Sequence, residues 1–482
     1  MTVSFITTNT IVPNTDGFEL LMAGDEVYVN SNTLLASGRF NGVQGGSPGI
    51  VVDNGDIVGT FYGIRLDSIV TPGDSEVWIG SRGTVEGGNG AAGIYIPGGS
   101  FTIQNLGQIL TAGATGVGVQ TYGAGAVINS GSISAANGGV IDSDTVAADR
   151  YVFENYGSVV ASNAGSFAFS GAVALSGSVA LEAVYNYGTM NGSVAMGSAA
   201  GDFFDSTSGA VHGAIDAGAG GDTIVAGNTG NLVVGGAGND VLFANPTLTA
   251  ASNHANTILD GGTGDNWLYG DGAYVTFDSG DNSAGTCNQI FGRQSEMANV
   301  SGYANNTVSY AAMSSAYKSA YIDLLHGDAY MCASASANGA PTSAYVFEDY
   351  LQHVPNVIGS SGSDVIVCDN GADKITHGSG AGDVLYAGSG ASSQDTFAYT
   401  SLTQSSLAHH DVIEGFKTGT DKIDLSALGL PTADILLSSG GNGANTIYVE
   451  KSPTTGFNSA TDMIISVQAT GNGILTMKDI VG

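Results

Sequence analysis

Basic residues are scarce in this chain. Among its 482 residues, lysine and arginine together number 11, against 43 aspartates and glutamates, so the formal net charge is −32. Nucleic acids and anionic bilayers attract positive charge, and this balance therefore argues against both as partners. Self-repulsion among the acids also opposes a compact fold unless cations neutralise them.

Cysteine and long apolar runs are scarce as well. Three cysteines are too few for a disulfide framework; Cys287 and Cys332 could pair, although a buried thiol explains the sequence equally well. No run approaches the roughly 18 apolar residues of a membrane helix, so we expect no direct membrane insertion. The first residues, MTVSFITTNTIV, lack the basic and apolar regions of an N-terminal secretion signal.

Familiar catalytic motifs are missing. None of the seven histidines belongs to an H-E-x-x-H zinc-protease motif, and the chain has no G-x-S-x-G elbow, P-loop or C-x-x-C. The five arginines are scattered, and only Arg65 and Arg82 are spaced to lie on adjacent coils of a repeat. We therefore expect no enzyme. A polysaccharide-active β-helix enzyme is the less favoured alternative.

Glycine, by contrast, is abundant, with 75 residues, about twice the ordinary usage. Since 43% of the residues are nevertheless hydrophobic, the chain has a core to bury and is not a disordered linker. This composition favours many turns joined by short strands.

The clearest pattern covers residues 217–243, which divide into three blocks of nine: AGAGGDTIV, AGNTGNLVV and GGAGNDVLF. Each block has glycine in its second column, aspartate or asparagine in its sixth and an apolar residue in its eighth. The pattern predicts a glycine-rich turn followed by a short strand whose apolar residue points inward. It is the nonapeptide G-G-x-G-x-D-x-U-x of RTX (repeats-in-toxin) proteins, a calcium-binding β-helix repeat. Ordinary β-turns would not keep one phase over three blocks.

Two blocks complete one coil, so residues 18 apart, such as Asp222 and Asp240, stack along one edge. Their carboxylates and the turn carbonyls can supply the roughly 6–8 oxygen ligands of Ca²⁺. The predicted metal ligands of this array are Gly218, Gly220, Asp222, Asn231, Gly236, Gly238 and Asp240. A further repeat at 259–272 contains Asp265 and Asn266, where we expect at most a weak or partly occupied ion site.

A second array is predicted between residues 305 and 400. Its opening segments, NNTVSYAAM and AYIDLLHGDAY, resemble a module of bacterial surface proteins. Nonapeptides follow at 359–367, 368–376 and, after one inserted residue, 378–386. The predicted metal ligands are Gly362, Asp364, Asp373, Gly380, Asp383 and Asp395. We expect Asp364 and Asp383 on one edge and Asp373 on the opposite edge.

Residues 1–200 carry a longer repeat, in which an apolar residue, asparagine, glycine and a second apolar residue recur in fixed order. Its glycine recurs every 24 to 31 residues, as in FTIQNLGQI, VINSGSI, VFENYGSV and VYNYGTM. Periods of this length are typical of solenoids. The repeat resembles the right-handed parallel β-helix of secreted adhesins and autotransporter passengers, and we expect its asparagines to stack in a ladder. A β-sandwich is the alternative.

The segment HDVIEGFKTGTDKIDLSALGL, residues 410–430, resembles the C-terminal cap of serralysin-type and other RTX exoproteins. That resemblance implies a β cap and an uncleaved type I secretion signal within residues 401–482, and hence the type I secretion apparatus as a partner during export.

Together these patterns predict an all-β protein. We expect a right-handed parallel β-helix in residues 1–200, an RTX calcium β-roll in 201–304, a second RTX unit in 305–400 and a C-terminal cap in 401–482. The predicted function is that of a secreted, Ca²⁺-binding structural protein of the bacterial cell surface. Such a protein would be a surface-layer, filament or matrix subunit that self-associates on calcium binding. The alternative is an RTX adhesin that binds a host or glycan ligand.

Overall fold

A computed structural model of the chain forms two compact units, Met1–Thr247 and Leu248–Gly482. They are described in turn, and the finer limits predicted at residues 200, 304 and 400 stay predictions. The structure describes residues 2–22, 24–45, 49–67, 74–143, 150–161, 173–175, 181–197, 201–245, 256–270, 274–279, 287–292, 306–313, 319–332, 348–390, 393–451, 457–458 and 461–482.

The first unit consists of short strands joined by turns. Its described strands are β1 (Val3–Ile6), β2 (Thr10–Val12), β3 (Phe18–Leu20), β4 (Glu26–Val29), β5 (Leu34–Ser37), β6 (Val43–Gly45), β7 (Ile50–Asp53), β8 (Asp56–Val58), β9 (Ile64–Leu66), β10 (Asp74–Ile79), β11 (Thr84–Gly87), β12 (Ala92–Ile96), β13 (Ser100–Asn105), β14 (Gln108–Thr111), β15 (Val117–Thr121), β16 (Gly125–Asn129), β17 (Ser132–Ala135), β18 (Gly138–Asp142), β19 (Arg150–Asn155), β20 (Ser158–Ala161), β21 (Val173–Leu175), β22 (Leu181–Asn186), β23 (Thr189–Asn191), β24 (Val194–Ala195), β25 (Phe203–Asp205), β26 (Ala210–Val211), β27 (Ile215–Asp216), β28 (Thr223–Val225), β29 (Leu232–Val234) and β30 (Val241–Phe243).

These strands repeat in threes, because each coil contributes one strand to each of three parallel sheets. The first sheet begins with β1, β4 and β7, the second with β2, β5 and β8, and the third with β3, β6 and β9. Among the described residues, the second sheet ends at β26, whereas the first sheet continues to β30 and the third to β29. The coil thus narrows from three strands to two, and a parallel β-helix becomes a β-roll.

Parallel pairing in register places equivalent residues of successive coils directly above each other. In the first sheet, Val127 pairs with Phe153 and Phe153 with Val184. The same inward column continues to Ile224 and Leu242, the apolar eighth residues of two nonapeptides. All of these side chains are fully buried. The β-helix and the β-roll therefore share one continuous hydrophobic core.

The recurring asparagines form the ladder that the sequence predicts. The Nδ2 atom of Asn105 donates to Oδ1 of Asn129 at 2.8 Å, and Asn129 donates to Asn155 at 2.8 Å. Asn155 donates to Asn186 at 2.8 Å, and Asn186 donates to the Ser206 hydroxyl at 2.9 Å. These asparagines are buried, so each amide supplies the hydrogen-bond partner that the next one needs.

The second unit is also built from strands. Its described strands are β31 (Thr257–Asp260), β32 (Trp267–Tyr269), β33 (Val275–Asp278), β34 (Gln289–Phe291), β35 (Thr307–Ser309), β36 (Ser319–Asp323), β37 (Asp328–Cys332), β38 (Glu348–Gln352), β39 (Asn356–Ile358), β40 (Val365–Val367), β41 (Lys374–Thr376), β42 (Val384–Tyr386), β43 (Thr396–Ala398), β44 (Asp411–Phe416), β45 (Lys422–Asp424), β46 (Ile435–Gly441), β47 (Ala444–Val449), β48 (Met463–Ala469) and β49 (Ile480–Val481).

Most strands of this unit pair in parallel across two sheets. One sheet runs from β31 through β33, β35, β39, β41, β43 and β45 to β49. The opposite sheet includes β40, β42 and β44, which belong to the second array and its continuation. Strands β46, β47 and β48 are antiparallel and join this sheet through β44 and β48.

The described helices of the second unit are single 3-10 turns, at Leu402–Gln404, Ser426–Leu428, Thr432–Asp434 and Thr470–Asn472. No helix in the described ranges has the length and apolar character needed to span a membrane. The predicted fold class is confirmed: the chain is all-β, with a parallel β-helix, β-rolls and C-terminal β-strands. The Cys332 side chain lies outside the described residues, so the possible pair with Cys287 stays a prediction.

The asparagine ladder gives a first testable prediction. Replacing Asn129 with alanine removes its bonds to Asn155 and to the Ser158 carbonyl. It also removes one of the two acceptors of the Asn105 amide, which keeps its bond to the Ser132 carbonyl. At roughly 1–3 kcal/mol for each buried group left unsatisfied, Asn129→Ala should lower the free energy of unfolding by about 2–4 kcal/mol.

Urea unfolding measures this loss, and Gln108→Ala is the matched control, because Gln108 is an exposed amide on the neighbouring strand β14. Equal unfolding midpoints for the two variants would contradict a stabilising role for the ladder.

Candidate metal centres

The first array stacks its acids along one edge of the coil. Asp222 and Asp240 are both fully buried, and the Asp222 backbone N–H donates to Oδ1 of Asp240 at 2.8 Å. Each acid follows a glycine turn with positive φ angles, 94° at Gly218 and 95° at Gly236. Successive turns touch so closely that a β-carbon at Gly236 would overlap the Gly218 carbonyl oxygen.

The remaining predicted glycines of this array, Gly220 and Gly238, are stacked in the same way. A β-carbon at Gly238 would overlap the Gly220 carbonyl oxygen. Glycine at these positions therefore lets backbone carbonyls of neighbouring coils come together beside the carboxylates.

The donor set of this edge fits Ca²⁺. One oxygen of Asp222, Oδ2, is buried without a hydrogen-bond partner in the described structure. Burial raises the pKa of Asp222 to about 7, the neighbouring Asp240 carboxylate adds to this effect, and burial raises the pKa of Asp240 to about 6. A hard cation bound by these carboxylates and turn carbonyls would neutralise the stacked charge. Asp222, Asp240 and the turn carbonyls are the residues and groups that would hold it.

Asn231, the third predicted side-chain ligand, has a different environment. Its Nδ2 donates to the carbonyls of Val211 and Gly213, at 2.9 and 3.0 Å, and its Oδ1 accepts from the Gly227 N–H. Val211 is the last residue of the second sheet among the described strands. The Asn231 amide therefore forms its hydrogen bonds where the coil changes from three strands to two.

The weak site expected around Asp265 and Asn266 is not assembled like the others. Asp265 is exposed and its Oδ1 accepts from the Cys287 N–H at 2.9 Å. Asn266 is buried, and its Nδ2 donates to Asn288 Oδ1 at 3.0 Å. The two side chains therefore serve separate hydrogen bonds between coils.

The second array forms a longer column of acids. The Asp364 N–H donates to Asp383 Oδ1 and the Asp383 N–H donates to Asp411 Oδ1, both at 2.8 Å. As in the first array, a β-carbon at Gly380 would overlap the Gly362 carbonyl oxygen. Burial raises the pKa of Asp364, and the Asp383 carboxylate raises it further.

The residue inserted between nonapeptides, His377, points into this column. Its fully buried imidazole places Nδ1 3.0 Å from Asp383 Oδ2 and 3.1 Å from Asp411 Oδ2. The ring stacks on Tyr399 with centroids 3.9 Å apart. Burial alone would lower the pKa of His377, but Asp411 and Asp383 raise it above its ordinary value. The insertion thus brings an imidazole to two stacked carboxylates.

The opposite edge of the second array contains Asp373 and Asp395, together with Asp421. The Asp373 N–H donates to Asp395 Oδ1 at 3.2 Å, and the Asp395 N–H donates to Asp421 Oδ1 at 3.1 Å. Cys368 Sγ lies within 4.8 Å of the Asp373 and Asp395 carboxylates. Burial raises the pKa of the Cys368 thiol, which keeps it protonated and a poor metal ligand. Oxygen atoms therefore dominate this edge too, and Asp373 Oδ1 is buried without a partner.

A lysine occupies the last turn of this edge. Lys417 Nζ donates to the carbonyls of Gly388 and Gly390, at 2.6 and 2.7 Å, and to Ser393 Oγ at 2.7 Å. Burial raises the pKa of Asp395 and Asp421, and the Lys417 ammonium counteracts this rise. Here a side-chain cation binds the turn carbonyls that a metal ion would otherwise contact.

Residues 350–480 match the family model Peptidase M10 serralysin C terminal. This model describes the RTX-type, secretion-associated domain of such proteins. The match covers the second array from Asp364 onward and the C-terminal strands, and it supports a secreted RTX-type protein. No curated protein matches the chain.

Sequence reasoning missed several members of these columns. Asp411 and Asp421 belong to the segment that resembles the serralysin-type cap, but they lie 28 residues after Asp383 and 26 after Asp395, so the nine-residue phase does not reveal them. His377 is visible in the sequence only as an insertion, and Lys417 only as part of the cap. For Asp411 and Asp421 the available signal was an acid at or just before the start of a short strand, and for His377 and Lys417 there was none.

The raised carboxyl pKa values predict how pH acts on the calcium-free protein. Between the ordinary aspartate pKa of 3.8 and the folded-state value of about 7, Asp222 holds a proton when folded and loses it when unfolded. Stability should therefore fall as pH rises through this window. In a calcium chelator, the urea midpoint should be lower at pH 8 than at pH 5, and added calcium should restore it at pH 8.

Asp222→Asn should weaken this pH dependence, because it removes the titrating group. Asp74→Asn is the control, since Asp74 is exposed on β10 and its loss changes the net charge by the same amount. A midpoint that is constant or higher at pH 8 would refute the assignment of the buried carboxylates as the cause.

Proposed function

We propose that the chain is a secreted, calcium-binding structural protein of the bacterial cell surface. In this role it is a subunit of a surface layer, filament or matrix, folds on binding Ca²⁺ after type I secretion, and associates with further copies of itself. The serralysin-type C-terminal domain supports the secreted, RTX-type part of this proposal. The proposed role is non-catalytic.

The observation that carries the proposal is the column of buried, stacked carboxylates. Asp222 stacks on Asp240, and Asp364 on Asp383, with like charges on successive coils and carboxylate oxygens away from water. Ionised groups in such positions are strongly destabilising unless a cation binds them. In a medium poor in calcium the chain stays loose. Outside the cell, calcium neutralises the columns and stabilises the coils by binding the folded state.

Self-association is supported by the first coil. Among the described residues, β1, β2 and β3 pair on one side only, with β4, β5 and β6. This coil also exposes large apolar side chains, among them Phe5 at 62%, Ile11 at 66% and Leu21 at 76%. Open strand edges with exposed apolar residues are templates for further strand pairing. A second copy of the chain that adds parallel strands to this coil would cover both the open strand edges and the exposed apolar side chains.

Calcium removal tests the folding step. In a chelator at pH 8 we expect the β-sheet signal in circular dichroism to decrease and the melting temperature to fall, with both restored by millimolar calcium. Binding at 100 times Kd contributes about 2.7 kcal/mol per site. Asp373→Asn should reduce this calcium-induced gain, whereas Asp74→Asn, at an exposed position on β10, should not. Full sheet signal and an unchanged melting temperature in chelator would disprove calcium-dependent folding.

Light scattering and electron microscopy test the assembly step. Ordered assemblies should form with calcium and not without it. Ile11→Lys should prevent them, because it places a charge on the open coil, whereas Leu407→Lys changes an equally apolar exposed position outside the first coil. A compact calcium-bound monomer of the unmodified chain would reject assembly and favour the adhesin.

One feature favours the adhesin as the second candidate. Tyr62 and Tyr95 stack at 4.6 Å on the outer face of the third sheet, and the Arg65 guanidinium lies 5.6 and 5.5 Å from their ring centres. Aromatic faces beside a cation suit a sugar ring and its polar substituents. The polysaccharide-enzyme alternative has less support: Arg65 is paired with Asp67 at 2.9 Å, and Arg82 lies on the next coil but between the first and second sheets.

A further inference from the structure

One inward-facing column of the first sheet changes from uncharged to acidic residues in the middle of the β-helix. Its upper members pair in register from Phe101 through Gly125 and Tyr151 to Glu182. The Phe101 and Tyr151 rings lie 6.0 Å apart. Below Tyr151 the column becomes acidic, because the next member is Glu182.

The acidic part of this column is continuous with the first nonapeptide array. The Glu182 N–H donates to Asp202 Oδ1 at 3.0 Å, and the Asp202 N–H donates to Asp222 Oδ1 at 2.7 Å. The same bond joins Asp222 to Asp240. Glu182 and Asp202 therefore extend the aspartate column by two coils, into a region that the nonapeptide pattern does not cover.

Glu182 is the least satisfied of these acids. It is fully buried, and in the described structure neither of its carboxylate oxygens has a hydrogen-bond partner. Asp202 is better placed, since its two oxygens accept from the Glu182 and Gly197 N–H groups. Among the described residues, Glu182 thus lacks the partners that a buried carboxylate normally has.

The charges around Glu182 do not compensate for its missing hydrogen bonds. Burial, Asp202 and Asp142 raise the pKa of Glu182 to about 10. Without a cation the carboxyl group would therefore be a neutral acid at physiological pH. One proton neutralises only one of the two neighbouring carboxylates, Glu182 and Asp202, whereas a divalent cation would neutralise both.

Gly197 lies where the two carboxylates converge. A β-carbon built on it would lie 3.1 Å from Glu182 Oε2 and 3.2 Å from Asp202 Oδ2. Among the described residues, both oxygens therefore face the position that a side chain at residue 197 would occupy. The two carboxylates make this an all-oxygen, doubly negative donor set, which suits a hard divalent ion such as Ca²⁺ better than a softer transition metal.

We propose that Glu182 and Asp202, beside Gly197, bind a calcium ion within the β-helix, outside both nonapeptide arrays. Through this site, the stability of the last β-helix coils would depend on calcium, as is proposed for the two arrays. It does not depend on whether the arrays themselves are occupied.

The test is the number of calcium ions bound per full-length chain, measured by equilibrium dialysis with elemental analysis at pH 8. Glu182→Gln keeps the shape of the side chain and removes its charge, so it should bind one ion fewer than the unmodified chain. Glu19→Gln, at an exposed position on β3, is the matched control and should bind the full number.

Gly197→Ala is a second, independent variant. Its added methyl group would occupy the space in front of the two oxygens while leaving both carboxylates in place, and it should also remove one ion. Thermal melting in chelator adds a readout that a structural role alone would not produce. Glu182→Gln should melt close to the unmodified chain there, because without a cation Glu182 is already neutral, and it should gain less on calcium addition.

Unchanged calcium numbers in both Glu182→Gln and Gly197→Ala would overturn the proposed site. If Asp373→Asn still lowered the number in the same assay, the proposed function would survive and this inference alone would fail. An unmodified chain that binds no calcium would reject both.

Discussion

Parallel stacking in register is the constraint on which the rest of this structure depends. Each coil places its residues directly above those of the coil before, so inward positions line up in columns, and several of these columns are of one chemical type. Apolar columns such as Val127, Phe153 and Val184 pack as a core. Amide columns such as Asn105, Asn129 and Asn155 are self-complementary, because an amide both donates and accepts. Carboxylate columns are the exception, since acids that stack on acids repel one another.

Different parts of the molecule respond to the repulsion between stacked carboxylates in different ways. Each backbone N–H in a carboxylate column donates to the acid of the next coil, as between Asp222 and Asp240 or Asp364 and Asp383, which links the coils but leaves the charge. His377 brings an imidazole between two carboxylates and Lys417 brings an ammonium to a glycine turn. Elsewhere protons or metal ions must supply the missing positive charge. Because the chain has few basic residues, we expect its stability to depend on the cations in its surroundings.

How far the sequence predicts this structure depends on whether a column repeats at a fixed interval. The nonapeptide phase predicts that Asp222 lies beside Asp240, and the recurring asparagines predict the ladder. Glu182 escapes detection because its neighbours in the column, Tyr151 and Asp202, are of different types and lie 31 and 20 residues away. The direction of the inserted His377 side chain depends on how the backbone absorbs one extra residue, which no periodicity encodes. Asn231 is a predicted metal ligand, and its amide bonds to the Val211 carbonyl, where the second sheet ends among the described strands while the other two sheets continue.

Lys417 has a consequence for the order in which the second array forms. Its ammonium is covalently attached, so the turn at Gly388 and Gly390 has its counter-charge at any salt or metal concentration. In a solenoid each repeat is stabilised chiefly by its neighbours, and structure spreads from whichever repeat is already ordered. We therefore expect the turn next to the C-terminal strands to order more readily than coils whose carboxylate columns are empty. Folding of the second array would then spread from its C-terminal end backward.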